Sequence, residues 1–237
     1  MSNNQDIERL MAQLNSQQEQ IAQQLQSSNA QMQGLAKRVW MVQENERKHI
    51  AGELHDGVGQ LLTALINQLQ HTQNTHPDLS LNNSIELARQ ALNDTRVISR
   101  LMRPRILDDL GLVSALEWLV RVMGEGCDAE LVFHHKVDVT LDQDWQLLAF
   151  RVIQEALTNA IKHAKASRIT LNVIATETLL LIKVKDDGIG LPEPELAQGA
   201  GFGLDAMRDR ICAFGGQLTI LSEPDNGCEI KVLVTGK

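Results

Sequence analysis

A histidine and an aspartate are adjacent in the segment "AGELHDGVGQLLTALINQLQ". Read with a helical period, the segment has one apolar stripe, and His55 lies beside the edge of that stripe, followed by Asp56. The stripe consists of Leu54, Val58, Leu61, Leu65 and Leu69. An imidazole is a nucleophile for phosphoryl transfer when one nitrogen is free to attack and a base holds the proton of the other. A lone histidine is by default an inert surface residue, so this interpretation needs support from the rest of the chain.

Polar residues recur at helical spacing in the segment "QEALTNAIKHAK". Glu155 and Asn159 are four apart and share a helix face, and Lys162 and His163 follow one turn later. Carboxylate and amide oxygens are hard ligands of the kind that Mg²⁺ prefers, and the lysine is a cation close enough to hold phosphate. A solvated helix face would have the same pattern, so both interpretations stay open for this cluster alone.

The segment "DDGIG" directly follows the strand candidate "LLLIKVK". Asp186 can accept a hydrogen bond, and the alternating glycines Gly188 and Gly190 permit a tight turn and a close approach of the backbone to a ligand. A plain hairpin turn is the alternative.

A second glycine-rich segment, "GAGFGL", precedes a helix that begins near Leu204. Gly201 and Gly203 would leave amide donors and the positive end of the helix dipole open to phosphate, although a flexible loop would look the same. The Walker pattern and the HRD and DFG triplets of protein kinases are absent from the sequence.

The second half of the chain, residues 126–237, is predicted to be an α/β sandwich. Helix candidates are "DQDWQLLAFRVIQEALTNAIKHAK" and "GLDAMRDRICAF", and strand candidates are "AELVFHHKV", "SRITLNVIAT", "TLLLIKVKD", "GQLTILSE" and "CEIKVLVT". Strands grouped around helices without strict alternation favour a mixed sheet covered on one face by helices.

The first 45 residues carry an apolar seam with alternating spacings of four and three, from Ile7 to Val42, interrupted at Gln18 and Ser28. This pattern favours a coiled coil over a disordered tail and therefore predicts a homodimer. An extra step of four between Val42 and Ile50 is a stutter, which locally unwinds a coiled coil.

Residues 46–125 are predicted to form a helical hairpin. The polar break "HTQNTHPDLSLNNS" contains Pro77, and the second helix should end at Pro104. Two hairpins in a dimer would make a four-helix bundle that buries both stripes. A further helix in "DDLGLVSALEWLVRVMGE" leads to a hinge at "GEG".

The composition excludes several classes of function. A formal charge of −8 gives nucleic acid no general attraction, so direct DNA binding is not expected. The three cysteines form no CxxC pair, which predicts buried thiols in a reducing cytoplasm. No apolar run reaches the roughly 20 residues of a membrane span, and the start has no signal-peptide pattern, so we expect no membrane segment in this chain and a cytoplasmic location.

The order of the motifs resembles a known family. "QEALTNAIKHAKAS", "DDGIG" and "GFGLDAMRDRICAFGGQL" resemble the N, G1 and G2 boxes of the GHKL ATP-binding domain shared by sensor histidine kinases, Hsp90-type chaperones and gyrase-type ATPases. "ERKHIAGELHDGVGQLLTALINQ" resembles the HisKA_3 phosphoacceptor box, whose subfamily usually pairs with response regulators that have helix-turn-helix outputs of the NarL/LuxR type. "LMRPRILDDLGLVSALEWLV" resembles the subfamily's connection between the two domains. One departure is Cys228, where many relatives have threonine.

The resemblance implies a sensor histidine kinase that binds ATP and Mg²⁺. It assigns His55 as the phosphoacceptor, Asp56 as its base, and Gln60 to dephosphorylation of the response regulator. It assigns Asn159 to Mg²⁺ and Glu155 to the metal or its water. The remaining implied nucleotide-site residues are Lys162, His163, Asp186, Gly188, Gly190, Gly201, Gly203 and Leu204, with a lid from Leu191 to Gly203. The alternatives are an ATP-driven conformational machine of the same fold, and a coiled-coil scaffold with an inactive nucleotide domain.

Overall fold

The computed structural model describes the backbone of residues 2–102, 105–191 and 201–236, and the side chains of all of these except residues 2–14, 105, 201 and 202. Its first element is a single helix, α1 (Ser2–Glu53), of 52 residues. The predicted seam residues with described side chains are solvent-exposed, namely Ile21, Leu25, Met32, Leu35, Val39 and Val42. The helix is thus confirmed, and its apolar stripe is available to a partner. Dimerisation through it stays a prediction.

The predicted helical hairpin is confirmed. A π-helical turn (Leu54–Val58) joins α1 to α2 (Gly59–Thr75), which packs against α3 (Asn82–Met102). Pro104 lies outside the described residues, and α3 ends two residues before it. The hairpin core contains Ile66, Ile85, Ala88 and Leu92, with Leu62, Leu69 and Leu81 packed around them.

The predicted stripe beside His55 is divided between two surfaces. Leu69 packs in the hairpin core, whereas Val58, Leu61 and Leu65 are exposed. Because the π-helical turn ends at Val58, the division arises within α2, where Leu62 and Ile66 pack in the hairpin core instead of Leu61 and Leu65. The exposed part faces outward from the single hairpin, where a second hairpin could cover it.

Helix α4 (Arg105–Gly124) connects the hairpin to the sheet. Gly111 adopts φ +79°, a conformation that favours glycine, and kinks the helix there. Beyond the kink, Leu116 and Leu119 are fully buried and share a core with the helices and strands that follow. This connecting helix is therefore packed against the α/β part rather than extended as a free linker.

The predicted α/β fold with a mixed sheet is also confirmed. Its elements are β1 (Glu130–Val137), α5 (Gln143–Asn159), a second π-helical turn (Ala160–Ala164), β2 (Arg168–Ala175), β3 (Leu179–Asp186), α6 (Gly201–Ala213), β4 (Gln217–Ser222) and β5 (Cys228–Thr235). The strand order is β1-β2-β3-β5-β4, with β1 and β2 parallel and the other pairs antiparallel.

Alternate residues of β2 and β3 are buried, which is the pattern of a sheet with one covered face. Leu148, Ile153 and Leu157 of α5, with Met207 and Ile211 of α6, pack in the core that covers it. Asp142 caps the start of α5 by accepting from the Asp144 backbone N–H at 2.8 Å. The sheet and its capped helix therefore fix where the polar end of α5 lies.

Candidate nucleotide site and phosphoacceptor

The N and G2 boxes meet where α5 ends and α6 begins. Glu155 and Asn159 are both partly exposed on α5. A Cβ built on Gly203 would overlap the Glu155 carboxylate and would lie 3.9 Å from Asn159 Nδ2. The absence of a side chain at Gly203 therefore lets the first turn of α6 approach the two predicted metal ligands. Leu204 is buried in the core and anchors this turn.

The N and G1 boxes meet at the π-helical turn that follows Asn159. Its Ala164 carbonyl accepts from the Ile189 backbone N–H at 2.8 Å, and a Cβ on Gly188 would overlap the same carbonyl. Lys162 and His163 lie on this turn with exposed side chains. The predicted need for glycine at position 188 thus has a defined cause, which is close packing of the backbone.

Asp186 is buried at the end of β3. Its Oδ1 accepts from the backbone N–H groups of Gly188 at 3.0 Å and Cys228 at 3.3 Å. Burial raises the pKa of this carboxyl, an effect that the two backbone donors oppose. Oδ2 takes part in neither bond, so the carboxylate can accept a hydrogen bond from a ligand's amino group.

The adjacent Asp187 has a different task. Its exposed carboxylate accepts from the Ser167 backbone at 2.8 Å, the Ser167 hydroxyl at 2.6 Å and the Arg168 backbone at 2.8 Å. The Ser167 hydroxyl and the Arg168 backbone N–H lower the pKa of Asp187. Asp187 therefore fastens the start of β2, and Asp186 alone is the recognition candidate.

Gly190 closes the G1 segment against the β4–β5 hairpin. It has φ +71°, and a Cβ there would overlap the Glu223 carbonyl. The next backbone N–H, of Leu191, donates to Ser222 Oγ at 2.7 Å. Of the predicted lid, residues 192–200 lie outside the described residues, and Gly201 is the first residue of α6.

Cys228 contacts Asp186 through its backbone. Because the backbone N–H is the donor, the departure from threonine leaves this hydrogen bond in place. Burial raises the pKa of the Cys228 thiol to about 11, so the side chain is neutral at neutral pH. All three cysteines are free thiols, but the prediction that they are buried is wrong, because Cys212 is exposed and Cys127 and Cys228 are only partly buried.

His55 and Asp56 lie on the first π-helical turn, with half-exposed side chains. His55 Nδ1 is 2.8 Å from Asp56 Oδ1. Because a carboxylate can only accept, the proton of a neutral ring belongs on Nδ1, which leaves the lone pair on Nε2. The ring is therefore oriented as an attacking nucleophile requires.

Gln60 shares a groove of about 330 Å³ with His55. In an uninterrupted α-helix, residues five apart point about 140° away from each other. The π-helical turn, in which the Gly59 N–H bonds to the Leu54 carbonyl five residues back, adds one residue to the turn. This extra residue brings the Gln60 side chain to the same side as His55.

The nucleotide-site candidates and His55 form two separate groups. A second groove beside His55, about 1390 Å³ in volume, lies between α1 and α4 and is lined partly by Asp108 and Trp118. Neither His55 groove is lined by Glu155, Asn159 or Asp186. Within one chain the structure therefore brings the three boxes together and leaves His55, the predicted phosphoacceptor, apart from them.

The described residues contain no group of three His, Cys, Asp or Glu side chains that could hold a metal ion. Mg²⁺ commonly takes one or two protein ligands together with substrate phosphates and water. Glu155 and Asn159, which both lie against Gly203, supply oxygen ligands of the required kind.

The sequence interpretation missed a buried ion pair between Glu44 and Arg151. A signal was present, because Arg151 interrupts the apolar run "LLAFRVI" at a position that helical spacing places among core residues.

The chain is similar to known proteins in both halves. Residues 46–107 match the family described as "Histidine kinase", and residues 145–235 match the family described as "Histidine kinase-, DNA gyrase B-, and HSP90-like ATPase". With both matching regions present in this order, the chain belongs to the sensor histidine kinases.

Three curated relatives support this membership. The signal transduction histidine-protein kinase/phosphatase UhpB of Salmonella typhimurium (strain LT2) is 37% identical over 213 residues, which are 85% of this chain and 41% of that protein. The kinase/phosphatase DegS of Brevibacillus brevis is 28% identical, covering 83% of this chain and 53% of that protein. The sensor histidine kinase MctS of Rhizobium johnstonii is 31% identical, covering 82% of this chain and 44% of that protein. The chain thus spans about half the length of these relatives.

Among solved structures, the histidine kinase domain of the Erythrobacter litoralis EL346 blue-light activated histidine kinase aligns with 81% of this chain and 93% of that chain, with a TM-score of 0.46 and 15% identity.

Across the described residues, none of the helices combines the length and apolar character needed to cross a membrane.

Proposed function

We propose that this chain is the catalytic part of a sensor histidine kinase, which phosphorylates His55 from ATP and passes the phosphoryl group to an aspartate of a response regulator. The observation that carries the proposal is the 2.8 Å contact between His55 Nδ1 and Asp56 Oδ1, which places the proton of the neutral ring on Nδ1 and the lone pair on Nε2. The family membership of both halves supports it.

In the transfer step, Nε2 of His55 forms a bond to the γ-phosphorus of ATP while the bond to the β,γ-bridging oxygen breaks and ADP leaves. The ring gains positive charge, which the Asp56 carboxylate stabilises through Nδ1–H. The protein's task is mainly positioning and charge stabilisation. Asp186 would hold the adenine amino group, and Lys162 would face the phosphates.

Glu155 and Asn159 are the residues that would hold Mg²⁺. When bound, this ion neutralises charge on the phosphate oxygens. His163 helps to order the site without exchanging a proton, and Gly188, Gly190, Gly201 and Gly203 shape the pocket and its lid.

We further propose that the chain dephosphorylates its regulator, as the names of two relatives state for those proteins. Gln60 would orient the attacking water, because an amide can both donate to it and accept from it. The partner is a receiver domain with a helix-turn-helix output, and the setting is the cytoplasm. Residues 1–45 would signal, residues 46–125 would dimerise and carry the phosphoryl group, and residues 126–237 would bind ATP.

The test is labelling with γ-³²P-ATP and Mg²⁺. Wild type should acquire an acid-labile, base-stable label, and His55→Gln should lose it while its nucleotide affinity is unchanged. Stoichiometric label on His55→Gln would refute the assignment. ATP hydrolysis without any protein label would favour the conformational machine, and failure to bind nucleotide would favour the inactive scaffold.

A further inference from the structure

A buried ion pair joins α1 to α5 across 107 positions of the chain. Arg151 Nη2 lies 2.7 Å from Glu44 Oε2, and Arg151 Nε lies 3.0 Å from each Glu44 oxygen. Both side chains are only 2% exposed. A buried pair of this kind is stable only when both charges remain paired, because removal of one partner leaves the other uncompensated.

Arg151 also binds the end of the hairpin. Nη1 donates to the Leu101 carbonyl at 2.9 Å and to Gln154 Oε1 at 2.8 Å, and Nη2 donates to the Met102 carbonyl at 2.6 Å. These carbonyls belong to the last turn of α3, where a helix leaves acceptors without internal partners and carries its negative dipole end. One guanidinium thus connects α1, α3 and α5.

Aromatic and charged contacts surround the pair. Trp40 of α1 is buried and meets Phe214 edge to face, with ring centroids 5.2 Å apart. Lys37 Nζ lies 4.7 Å from the Phe214 ring centroid and 2.7 Å from Asp144 Oδ2. Arg210 of α6 lies over the Trp40 ring at 5.9 Å. Residues 37–44 of α1 therefore hold the ATP-binding domain at both α5 and α6.

Glu44 lies on the opposite side of α1 from the exposed seam. At about 100° per residue, it is about 160° around the helix from Val42 and about 140° from Val39. The stutter between Val42 and Ile50 spans this position. Rotation of α1 within a coiled coil would therefore carry Glu44 away from Arg151.

We propose that the Glu44–Arg151 pair is a latch that holds the ATP-binding domain on α1, and that signal-driven rotation of α1 opens it to permit phosphorylation of His55. This rests on the proposed kinase function. Phosphoryl transfer requires the reacting atoms to come within about 3–3.5 Å of each other. With the latch closed, the grooves beside His55 contain none of Glu155, Asn159 and Asp186.

The test is Glu44→Gln, which removes the α1 carboxylate that pairs with Arg151 and so favours the open arrangement. The matched control is Glu130→Gln, because Glu130 forms an exposed pair with Arg168 within the α/β part, with Nη2 and Oε2 2.7 Å apart. We expect initial labelling of His55 to rise about tenfold in Glu44→Gln, within the usual range of coupling between sites. ATP affinity should be unchanged, and Glu130→Gln should label like wild type.

A second readout reports the latch itself. In protein labelled with 5-fluorotryptophan, the Trp40 ¹⁹F resonance, assigned by its loss in Trp40→Phe, should move to a solvent-exposed position in Glu44→Gln and stay in place in Glu130→Gln. Arg151→Lys keeps the positive charge but loses the planar guanidinium, so it should move the Trp40 resonance in the same direction. This variant replaces Glu44→Gln in the experiment if Glu44→Gln does not fold.

Two results would overturn the latch. One is a Trp40 resonance that stays at the wild-type position in both Glu44→Gln and Arg151→Lys. The other is a resonance that moves while labelling of His55 does not increase. If wild type acquires no label at all, the proposed function fails, and the Trp40 resonance still decides whether the ion pair holds the domain on α1.

Discussion

Replacing Asp186 with asparagine should separate nucleotide recognition from folding. The two side chains have the same shape, and the asparagine carbonyl can keep the bonds from the Gly188 and Cys228 backbone N–H groups. Its NH₂ group must then occupy the position of Oδ2. A donor would face the adenine amino group, which is also a donor, in place of a carboxylate oxygen.

The size of the effect follows from the bond that is lost. A hydrogen bond to a charged group contributes about 1.5–3 kcal/mol, and each 1.4 kcal/mol is a tenfold change in affinity. We therefore expect Asp186→Asn to weaken ADP binding about 10- to 150-fold in isothermal titration calorimetry. Its melting temperature should not fall, because the substitution removes a buried charge whose pKa is raised by desolvation.

Asp187→Asn is the matched control. It changes the neighbouring carboxylate, which bonds to Ser167 and Arg168 and has no proposed contact with nucleotide. It should lower the melting temperature and leave ADP affinity within about twofold. Equal ADP affinity for Asp186→Asn and wild type would refute the assignment of Asp186, as would equal losses in the two variants.

The opposite pKa shifts add a pH test. Because its pKa is raised, Asp186 takes up a proton at a pH above 3.8, the ordinary pKa of an aspartate. ADP affinity of the wild type should therefore fall on acidification, whereas that of Asp186→Asn should not. The folded state binds that proton more readily than the unfolded state, so this group favours folding more as pH falls. Asp187 has a lowered pKa, so its stabilisation is present above 3.8 and is lost as pH falls through its folded-state value. The melting-temperature gap between wild type and Asp187→Asn should therefore close in acid.

Three further substitutions test the packing of the N, G1 and G2 boxes and the groove that Gln60 shares with His55. Gly203→Ala should fold normally yet reduce Mg²⁺-dependent labelling at least tenfold, because the new Cβ contacts the carboxylate of Glu155, which can move. In Gly188→Ala the new Cβ would overlap the backbone of Ala164, which cannot move, so this variant should have a lower melting temperature instead. Normal labelling by Gly203→Ala would contradict this packing argument. Gln60→Ala should keep most autophosphorylation and transfer but leave the phosphorylated regulator long-lived, and regulator phosphate that decays as fast as with wild type would exclude Gln60 as the water-positioning group.

Much of the fold could be predicted because its signals are local. The apolar run that opens "LLLIKVKD" and the helical period of α5 each extend over several residues, so single exceptions do not hide them. The glycines were informative for a different reason. Gly188 and Gly190 are required by backbone contacts with Ala164 and Glu223, and a missing side chain is visible in the sequence even when its neighbour is not.

The features that escaped prediction depend on one residue or on distant partners. A π-helical turn differs from an α-helical turn by one inserted position, so the helical period around His55 looked continuous in the sequence although the turn there is π-helical. The pairing of Glu44 with Arg151 joins residues 107 positions apart, and nothing near Glu44 in the sequence indicates that it is buried. Tertiary packing alone determines that contact.

The proposed latch residue Arg151 and the two proposed metal ligands lie on successive turns of one helix. Arg151, Glu155 and Asn159 are each four apart on α5, so about 12 Å of rigid helix separates the first from the last. Movement at Arg151 would therefore carry the proposed nucleotide site as a rigid body instead of changing its shape. Opening the latch should change the rate of labelling at constant nucleotide affinity, whereas Asp186→Asn should change affinity with the domain still docked. If Glu44→Gln altered both quantities together, α5 could not be acting as a rigid connection between them.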